Sequence, residues 1–307
     1  MKPFFSVIIS VFNKEDYIIN TLVSVLNQTY KHFEVIVVDD GSTDGSVEAI
    51  KSINDKRISL IATKNYGASH ARNLGIENAT SGYIALLDGD DEWEPYYLEF
   101  MYDAIQKFDQ CKIFCSKIAQ KYENKIVTVP YSFKQTKLYG VHNYFKSSQK
   151  FSLIHSSSVV FQKSILKQTG NFDMSIVLGE DTDLWIRFGF NYEVVFINKL
   201  LAYYIYNPSS LSNSLFDLSK KVKFDKYLIE EKENKLLKNF LDRNRYSMAL
   251  MSKIQSDEPH FLFYTSHLNA GNLSLRQKVL LKSPRWLLKL LLKIKSLKKE
   301  KLYYIQA

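Results

Sequence analysis

The sequence has little cysteine and lacks the common glycine-rich phosphate-binding motifs. Only two of the 307 residues are cysteines, Cys111 and Cys115, and they lie four positions apart in an apolar segment. This usage does not suggest a disulfide framework, so we interpret both as reduced core residues of a cytoplasmic protein. No GxGxxG motif follows the first predicted strand, and no GxxxxGK[ST] motif occurs anywhere in the chain. These absences argue against dinucleotide-fingerprint and P-loop phosphate sites.

Signals for export and for membrane insertion are also missing. Met1 to Pro3 lead directly into an apolar strand pattern, with no cleavage-site composition behind it. No uncharged apolar run approaches the length needed to span a bilayer. We therefore expect a cytoplasmic protein with no membrane-spanning helix.

The first part of the chain alternates strand and helix patterns. Apolar runs predict strands at 4–12, 33–40 and 58–62 and a fourth strand that starts at Tyr83. Helical spacing predicts helices over 17–26, from near Thr43 to 53, and over 67–79, with Asn13 or Asp16 as the first cap. This alternation indicates a parallel sheet with helices on both faces.

Polar clusters follow three of these strands, at 13–16, 39–44 and 88–91. Ligands of such sheets bind outside the carboxyl ends of the strands. The third cluster places Asp88 and Asp90 around Gly89, so their oxygens can face one hard divalent cation. An acidic turn that caps the next helix is the alternative. Because phosphate-binding glycine loops are absent, the sequence points to a nucleotide diphosphate bridged to carboxylates by a metal ion.

Four motifs in order carry a family resemblance: residues 6–15, 37–44, 65–75 and 87–91. Together they resemble family 2 glycosyltransferases of the GT-A fold. The resemblance implies an α/β domain with a mostly parallel, Rossmann-like central sheet, helices on both faces, and a helical C-terminal extension. We expect a nucleotide-sugar-binding half over 1–110, an acceptor-side half over 111–215, and a helical region with a basic amphipathic tail over 216–307.

The resemblance also implies which residues contact the nucleotide-sugar donor. By position they are Val11, Phe12, Asn13, Glu15, Asp39, Asp40, Arg72 and Asp88. Asp40 would accept a hydrogen bond from the base, with Asp39 as its more structural neighbour, and Arg72 would lie on the nucleotide side. The alternatives are a turn and helix cap at 39–44 and a surface helix arginine at position 72.

For the metal, the resemblance implies Asp90 as a ligand of Mn²⁺ or Mg²⁺, with Asp88 serving the ribose or the metal. The resemblance also implies a third metal ligand, at a position where the residue type of this chain departs from the family pattern. Many relatives have tyrosine-arginine-x-histidine where this chain has Tyr204-Ile205-Tyr206-Asn207. The amide oxygen of Asn207 can replace the histidine as a weaker ligand, whereas Ile205 provides no phosphate contact.

The catalytic base implied by the resemblance is Asp181, in the Glu180-Asp181 pair at the start of a predicted helix. An acceptor hydroxyl is a poor nucleophile until a carboxylate takes its proton as the new bond forms. Glu180 would orient Asp181 or contact the acceptor. Capping and the helix dipole are the ordinary explanation of carboxylates at a helix start.

Positive charge is concentrated near the C-terminus. Residues 276–301 hold ten basic residues and one acid, which equals the net charge of +9 for the whole chain. In a predicted helix after Pro284, lysines lie around an apolar stripe made of Trp286, Leu287, Leu290, Leu291, Ile294 and Leu297. This pattern predicts binding to an anionic membrane surface. The alternative is a helix packed on the body with a solvated lysine face, and no nucleic-acid partner is expected.

The expected function is that of a metal-dependent inverting hexosyltransferase-like enzyme. It would move a sugar from a nucleotide diphosphate sugar, with a UDP-sugar favoured, to a hydroxyl of a lipid-linked glycan in cell-surface polysaccharide synthesis. We expect it at the inner face of the cell membrane as a peripheral protein. Two alternatives are a phosphoacceptor signalling domain and an inactive GT-A relative that binds only a nucleotide or a partner.

Overall fold

The computed structural model describes residues 3–206 and 218–297. In these residues ten strands form one sheet. The strands are β1 (Phe5–Val11), β2 (Phe33–Asp39), β3 (Ile58–Ala62), β4 (Tyr83–Asp88), β5 (Glu92–Trp93), β6 (Ile113–Tyr122), β7 (Lys125–Thr128), β8 (Tyr139–His142), β9 (Val159–Gln162) and β10 (Val194–Ile205). The helices are α1 (Ile18–Leu26), α2 (Ser46–Lys51), α3 (Ala68–Asn78), α4 (Tyr97–Lys107), α5 (Tyr144–Ser147), α6 (Leu166–Thr169), α7 (Glu180–Asn191), α8 (Glu230–Glu233), α9 (Lys235–Gln255), α10 (Glu258–Ser266), α11 (Leu275–Lys282) and α12 (Arg285–Leu297).

The sheet is mixed: its first four strands pair in parallel, as predicted, whereas most pairings of the later strands are antiparallel. Its strand order is β3-β2-β1-β4-β9-β6-β10-β5, with β7 on β6 and β8 on β10. Strands β1 to β4 pair in parallel, and β9 lies antiparallel between β4 and β6. Because β9 is reversed, β6 and its parallel neighbour β10 run in the same direction as β4. The carboxyl ends of six strands therefore meet at one edge of the sheet.

Apolar side chains alternate between the two faces of the sheet, and helices cover both faces. On β1, Ile8 packs into the cluster that contains α3 and α7, whereas Val7 and Ile9 pack into the cluster that contains α1 and α4. The first half of α9 joins the former cluster through Leu237 and Phe240. The predicted layers, helix on both sides of a central sheet, are confirmed.

Three local predictions differ from the structure. Helix α2 begins at Ser46 and not near Thr43, because backbone N–H groups before it donate to side chains that follow β1. Helix α1 has no side-chain cap, so neither Asn13 nor Asp16 fills that role. Helix α2 also ends at Lys51, two residues before the predicted end at 53.

The C-terminal part of the chain is helical, as predicted for its described residues. The second half of α9 forms an apolar cluster with α12, in which Tyr246, Leu250 and Leu288 are buried. No helix in the described ranges is long and apolar enough to cross a membrane.

The close approach of α3 to the sheet depends on Gly75. A Cβ added at this position would clash with the Cγ2 methyl of Ile8 and would lie 3.4 Å from Cγ2 of Val38. Both side chains are buried and β-branched, so they have little freedom to move aside. Glycine at this position therefore sets the distance between α3 and the strands that carry the edge residues.

We predict that Gly75→Ala lowers the free energy of unfolding by about 1–3 kcal/mol, because overpacking a fixed core contact forces side chains off their rotamers. Urea unfolding followed by circular dichroism measures this. Gly82→Ala is the control, since a Cβ there meets no atom within 4 Å. Equal effects of the two substitutions would contradict the packing role of Gly75.

Candidate active site

The carboxyl ends of β1, β2 and β4 bring the three predicted polar clusters together. Val11 at the end of β1 pairs with Asp39 at the end of β2, and Ser10 pairs with Asp88 at the end of β4. This is the edge at which open parallel sheets bind ligands. The candidate site is built on these strand ends.

The segments after β1 and β2 are joined by two side chains predicted to contact the nucleotide. Thr43 N donates to Asn13 Oδ1 over 2.8 Å, and Gly45 N donates to Glu15 Oε2 over 2.6 Å. Asn13 has φ +52°, a left-handed conformation that asparagine tolerates, and its own N donates to Ser42 Oγ. Asn13 and Glu15 therefore shape the loop, and their contact with a nucleotide stays a prediction.

The other two predicted residues at the end of β1 differ in exposure. Val11 is buried, and its carbonyl accepts a hydrogen bond of 2.8 Å from Asp40 N. The ring of Phe12 is 39% exposed directly after the strand. Of the two side chains, Phe12 is therefore the one open to a ligand.

The two carboxylates after β2 are bonded differently. Asp40 accepts from Tyr66 N over 2.9 Å and from Gly67 N over 2.7 Å, so both of its oxygens fix the loop before α3. Asp39 accepts from Ser42 N through Oδ2, while its buried Oδ1 has no hydrogen-bond partner among the described residues. A buried carboxylate oxygen without a partner is costly, so it marks a place where a ligand donor is favoured. The open acceptor lies on Asp39, whereas the sequence suggested Asp40.

Arg72 joins the acidic loop at 88–91 to the start of α7. Its Nη2 donates to Asp88 Oδ1 and its Nη1 donates to Glu180 Oε1, both over 2.8 Å. The guanidinium also lies over the ring of Phe172. Arg72 is only 8% exposed, so the alternative of a surface helix arginine is wrong.

The three ionisable groups of this bridge shift one another's pKa values. Burial favours the neutral form of Asp88, but the charge and hydrogen bond of Arg72 outweigh it and lower the pKa of this carboxyl. Burial raises the pKa of Glu180, Arg72 offsets part of that effect, and neighbouring Asp181 adds to it. Burial alone would lower the pKa of Arg72, yet the two carboxylates raise it. Arg72 is therefore a fixed cation at the centre of the site.

Asp90, the predicted metal ligand, is paired with a cation of the chain itself. The Nζ of Lys14 contacts Asp90 Oδ2, and the two side chains are 17% and 11% exposed. Gly89 lies against β1, since a Cβ there would be 2.9 Å from the carbonyl oxygen of Ser10. The loop at 88–91 is thus held close to β1, where Lys14 reaches it.

Asp91, the last carboxylate of this loop, is fully buried and has a structural role. Its Oδ2 accepts from the hydroxyl of Ser157, and its Oδ1 accepts from Ile205 N over 3.0 Å. Burial and the nearby charges of Asp90 and Asp88 raise its pKa well above the usual value. Ser157 Oγ also accepts from Asp88 N over 3.2 Å. Ser157 therefore fixes the acidic loop, a role that no spacing in the sequence indicated.

Helix α7 presents the predicted base next to the Arg72 bridge. It follows Gly179, which has φ +94°, and it begins with Glu180. Asp181 is half-buried, and its Oδ1 accepts from Thr182 N over 2.6 Å. The hydroxyl of Thr182 also donates to Oδ1 over 3.4 Å, whereas Oδ2 has no hydrogen-bond partner among the described residues and can accept a proton at this edge.

The acidic first turn of α7 is anchored from the C-terminal region. Asp183 is fully buried, and one of its oxygens accepts from Arg187 Nε over 3.0 Å. Its other oxygen accepts from Tyr227 Oη over 2.7 Å and pairs with Lys226 over 2.6 Å. These contacts fix the direction of the helix that carries Glu180 and Asp181.

The loop at 88–91 provides the right kind of donors for Mn²⁺ or Mg²⁺, which prefer carboxylate oxygens. No group of three His, Cys, Asp or Glu side chains in residues 3–206 and 218–297 could hold a metal ion. Such cations are often bound by one or two carboxylates and completed by substrate phosphates. Asp90 and Asp88 fit that arrangement if Lys14 leaves Asp90. Asn207, the third predicted ligand, lies outside the described residues.

The chain belongs to a known family of transferases. Residues 6–170 match the model of the family described as glycosyl transferase family 2, which is more than half of the chain. The family predicted from the four motifs is confirmed.

Two curated relatives show how much of longer proteins the chain covers. It is 32% identical over 238 residues to an uncharacterized glycosyltransferase of Rickettsia felis, across 73% of this chain and 38% of that protein. It is 44% identical over 101 residues to a Bacillus subtilis glycosyltransferase named for teichuronic acid biosynthesis, TuaG, across 32% of this chain and 40% of that protein. The chain spans less than half the length of these relatives.

A solved structure agrees with the fold. The crystal structure of S. aureus TarS residues 1–349 in complex with UDP-GlcNAc superposes with a TM-score of 0.61 at 18% identity, covering 91% of this chain and 84% of that chain. The predicted GT-A fold is thereby confirmed.

We predict that Arg72→Met lowers the free energy of unfolding by about 3 kcal/mol at pH 7, because it leaves two buried carboxylates without their cation. The pKa of Asp88 is held below its unfolded value of about 4, so the contribution of this pair is present above about pH 4 and is lost as the pH falls through the lower folded-state value. Urea unfolding between pH 7 and pH 3 measures the difference from the unsubstituted protein.

The control is Arg57→Met, which removes an arginine paired with the partly exposed Asp55. We expect a cost of about 1 kcal/mol or less there. A cost for Arg72→Met that does not shrink toward pH 3 would contradict the bridge.

Proposed function

We propose that the chain is a metal-dependent inverting glycosyltransferase that moves a sugar from a nucleotide diphosphate sugar to an acceptor hydroxyl. The observation that carries the proposal is the Arg72 bridge, which joins Asp88 of the acidic loop to Glu180, the neighbour of Asp181. Carboxylates suited to a metal-bound diphosphate thus lie beside a carboxylate suited to deprotonate a hydroxyl. Membership in glycosyl transferase family 2 supports this assignment.

The donor that we favour is a UDP-sugar. TarS, which shares the fold, has been crystallised with UDP-GlcNAc. The Oδ1 of Asp39, which has no partner among the described residues, suits an N–H group of the nucleobase, and the exposed ring of Phe12 follows the neighbouring strand β1. We therefore assign base recognition to Asp39 and the support of the adjoining loop to Asp40.

Asp90 and Asp88 would hold the cation, which when bound neutralises the charge that develops on the departing diphosphate. Asp181 accepts the proton of the acceptor hydroxyl as its oxygen forms a bond to the anomeric carbon. The bond from that carbon to the diphosphate breaks on the opposite side, and its electron pair leaves with the diphosphate. One such displacement inverts the configuration at the anomeric carbon.

Glu180 is a positioning residue in this scheme. Its carboxylate is held by Arg72, so it cannot turn toward an acceptor without breaking a buried ion pair.

The acceptor that we propose is a lipid-linked glycan used in cell-surface polysaccharide synthesis. TuaG, one of the relatives, is named for the synthesis of such a polymer. The basic C-terminal helix described below supports an acceptor held at a membrane.

An inactive relative is the second candidate. Ile205 replaces the arginine of the family pattern, and Lys14 is paired with the predicted metal ligand Asp90. Such a protein would bind a nucleotide weakly or not at all.

We predict that UDP, tested beside GDP and dTDP by titration calorimetry, binds in a Mn²⁺-dependent manner. Asp39→Asn should weaken UDP binding about tenfold, because a hydrogen bond to a charged group contributes about 1.5–3 kcal/mol. Asp55→Asn, at a partly exposed carboxylate that pairs with Arg57, is the control. Failure of all three nucleotides to bind would contradict the proposal and favour the inactive relative.

Helix α12 supports the peripheral membrane location, since Trp286, Leu290, Leu291 and Ile294 of the predicted stripe are exposed. Leu288 is buried against α9, so the helix packs on the body through one face. Trp286, Leu290 and Ile294 are 67%, 47% and 47% exposed and lie one turn apart along a second face. The side chain of Leu297 lies outside the described residues.

The exposed face of α12 is bordered by cations. Arg285, Lys289 and Lys293 are exposed and follow the same spacing along the helix, next to the apolar residues. Tryptophan and leucine beside lysine suit the headgroup layer of an anionic bilayer, where each cation contributes about 1 kcal/mol. We propose that this face binds the inner surface of the cell membrane.

We predict that the protein co-sediments with vesicles containing phosphatidylglycerol and not with phosphatidylcholine vesicles. The double substitution Trp286→Ser with Leu290→Ser should reduce binding about tenfold or more, because it removes two inserted apolar groups. Leu262→Ser, at a 57% exposed position on α10, is the control. Equal binding of all three proteins would contradict a membrane role for α12.

A further inference from the structure

Lys14 occupies a position in the site that the mechanism above does not use. It follows β1, and its Nζ contacts the carboxylate of Asp90, the residue proposed to hold the cation. Both side chains are more than four-fifths buried, at 17% and 11% exposure. An ion pair this sheltered from water is weakened little by solvent screening.

The backbone of Lys14 is fixed from both sides. Its N donates to the hydroxyl of Ser46 over 2.7 Å, and its carbonyl accepts from the N–H groups of Tyr17 and Ile18 over 2.9 Å. The stem of the side chain runs over Gly89, where an added Cβ would lie 3.6 Å from its Cγ. The fold therefore aims Lys14 at the acidic loop, in contrast to a surface lysine that meets an acid by chance.

Each carboxylate of the loop has a different partner. Asp88 is paired with Arg72, and Asp91 is bonded to Ser157 and to the backbone of Ile205. Asp90 is paired with Lys14. Arg72 lies on helix α3 and is held by two carboxylates, those of Asp88 and Glu180. Lysine, in contrast, has a flexible four-carbon stem and a compact charge that can change partners. Lys14 is thus the cation that can release its carboxylate.

We propose that Lys14 competes with the divalent cation for Asp90, so that the protein without nucleotide binds the cation weakly. The cation then enters together with the nucleotide diphosphate, and the displaced ammonium of Lys14 moves onto the diphosphate oxygens. This inference rests on the proposed function, because it takes Asp90 as the cation's carboxylate.

Two features of the site explain why such an exchange is favourable. Asp90 and Asp88 would hold Mg²⁺ or Mn²⁺ with only one or two carboxylates, and such cations usually need phosphate oxygens to complete their shell, so the loop without nucleotide would bind them weakly. The diphosphate brings negative charge that both the cation and Lys14 can contact at once. The contact of Lys14 with the diphosphate would also replace the phosphate contact that Ile205 does not provide.

The experiment measures Mn²⁺ binding to the nucleotide-free full chain by electron paramagnetic resonance of the free ion. Lys14→Met should bind Mn²⁺ at least tenfold more tightly than the unsubstituted protein, and Lys14→Gln should behave in the same way. Lys51→Met, at an exposed lysine on α2, is the matched control and should leave the affinity unchanged. Adding Asp90→Asn to Lys14→Met should abolish the gain.

Titrations repeated with saturating UDP test the exchange of partners. UDP should raise the Mn²⁺ affinity by a larger factor in the unsubstituted protein than in Lys14→Met, because only the former gains a new contact for Lys14. Equal Mn²⁺ affinity of the nucleotide-free proteins would overturn the proposal, as would a gain that survives Asp90→Asn.

Failure of this inference and failure of the proposed function give different results. If UDP binds with Mn²⁺ but Lys14→Met leaves the bare metal affinity unchanged, the donor site stands and the competition is wrong. If no nucleotide binds to any variant, the proposed function is wrong, and the exchange of Lys14 onto a diphosphate fails with it.

Discussion

The buried ion bridge from Asp88 through Arg72 to Glu180 is the interaction on which the arrangement of the site depends. It joins the end of β4 to the first turn of α7, and these two segments are far apart in the chain. Breaking one partner of a buried ion pair costs several kcal/mol, so the two halves are held at a set distance. The same charge lowers the pKa of Asp88 against its burial and keeps it ionised. The position and the charge state of the Asp88 carboxylate thus have the same cause, its ion pair with Arg72.

Other contacts support this bridge from outside. Gly75 lets α3, which carries Arg72, lie directly on β1. Asp183 ties the first turn of α7 to Tyr227 in the C-terminal region, so the helical extension takes part in positioning Glu180. Ser157 holds the acidic loop from the returning strand. The fold therefore fixes these carboxylates, whereas Lys14 is the side chain that we propose changes its partner when a ligand binds.

Much of this fold was predictable because its signals are local. Apolar runs and helical spacing indicated β1 to β4, the helices between them and the edge at which polar clusters meet. The structure places the predicted Arg72 in contact with both Asp88 and Glu180. The details that sequence reasoning missed depend on distant partners. The different hydrogen bonding of Asp39 and Asp40 depends on which backbone N–H groups approach each carboxylate oxygen. The roles of Lys14 and Ser157 depend on their contacts with the acidic loop, which lies 76 and 66 positions away in the sequence. The family predicted from spaced motifs is confirmed, and the metal, the acceptor and the roles of the individual residues are proposals.

The central claim is that nucleotide, cation and acceptor-side base share one edge of the sheet around Arg72. A crystal structure of the full chain with Mn²⁺ and UDP-GlcNAc would measure this directly. The account predicts the nucleobase at Asp39, the cation between Asp90 and the diphosphate, and the anomeric carbon facing Asp181. A nucleotide bound elsewhere, or a diphosphate at this edge with its sugar turned away from Asp181, would contradict it.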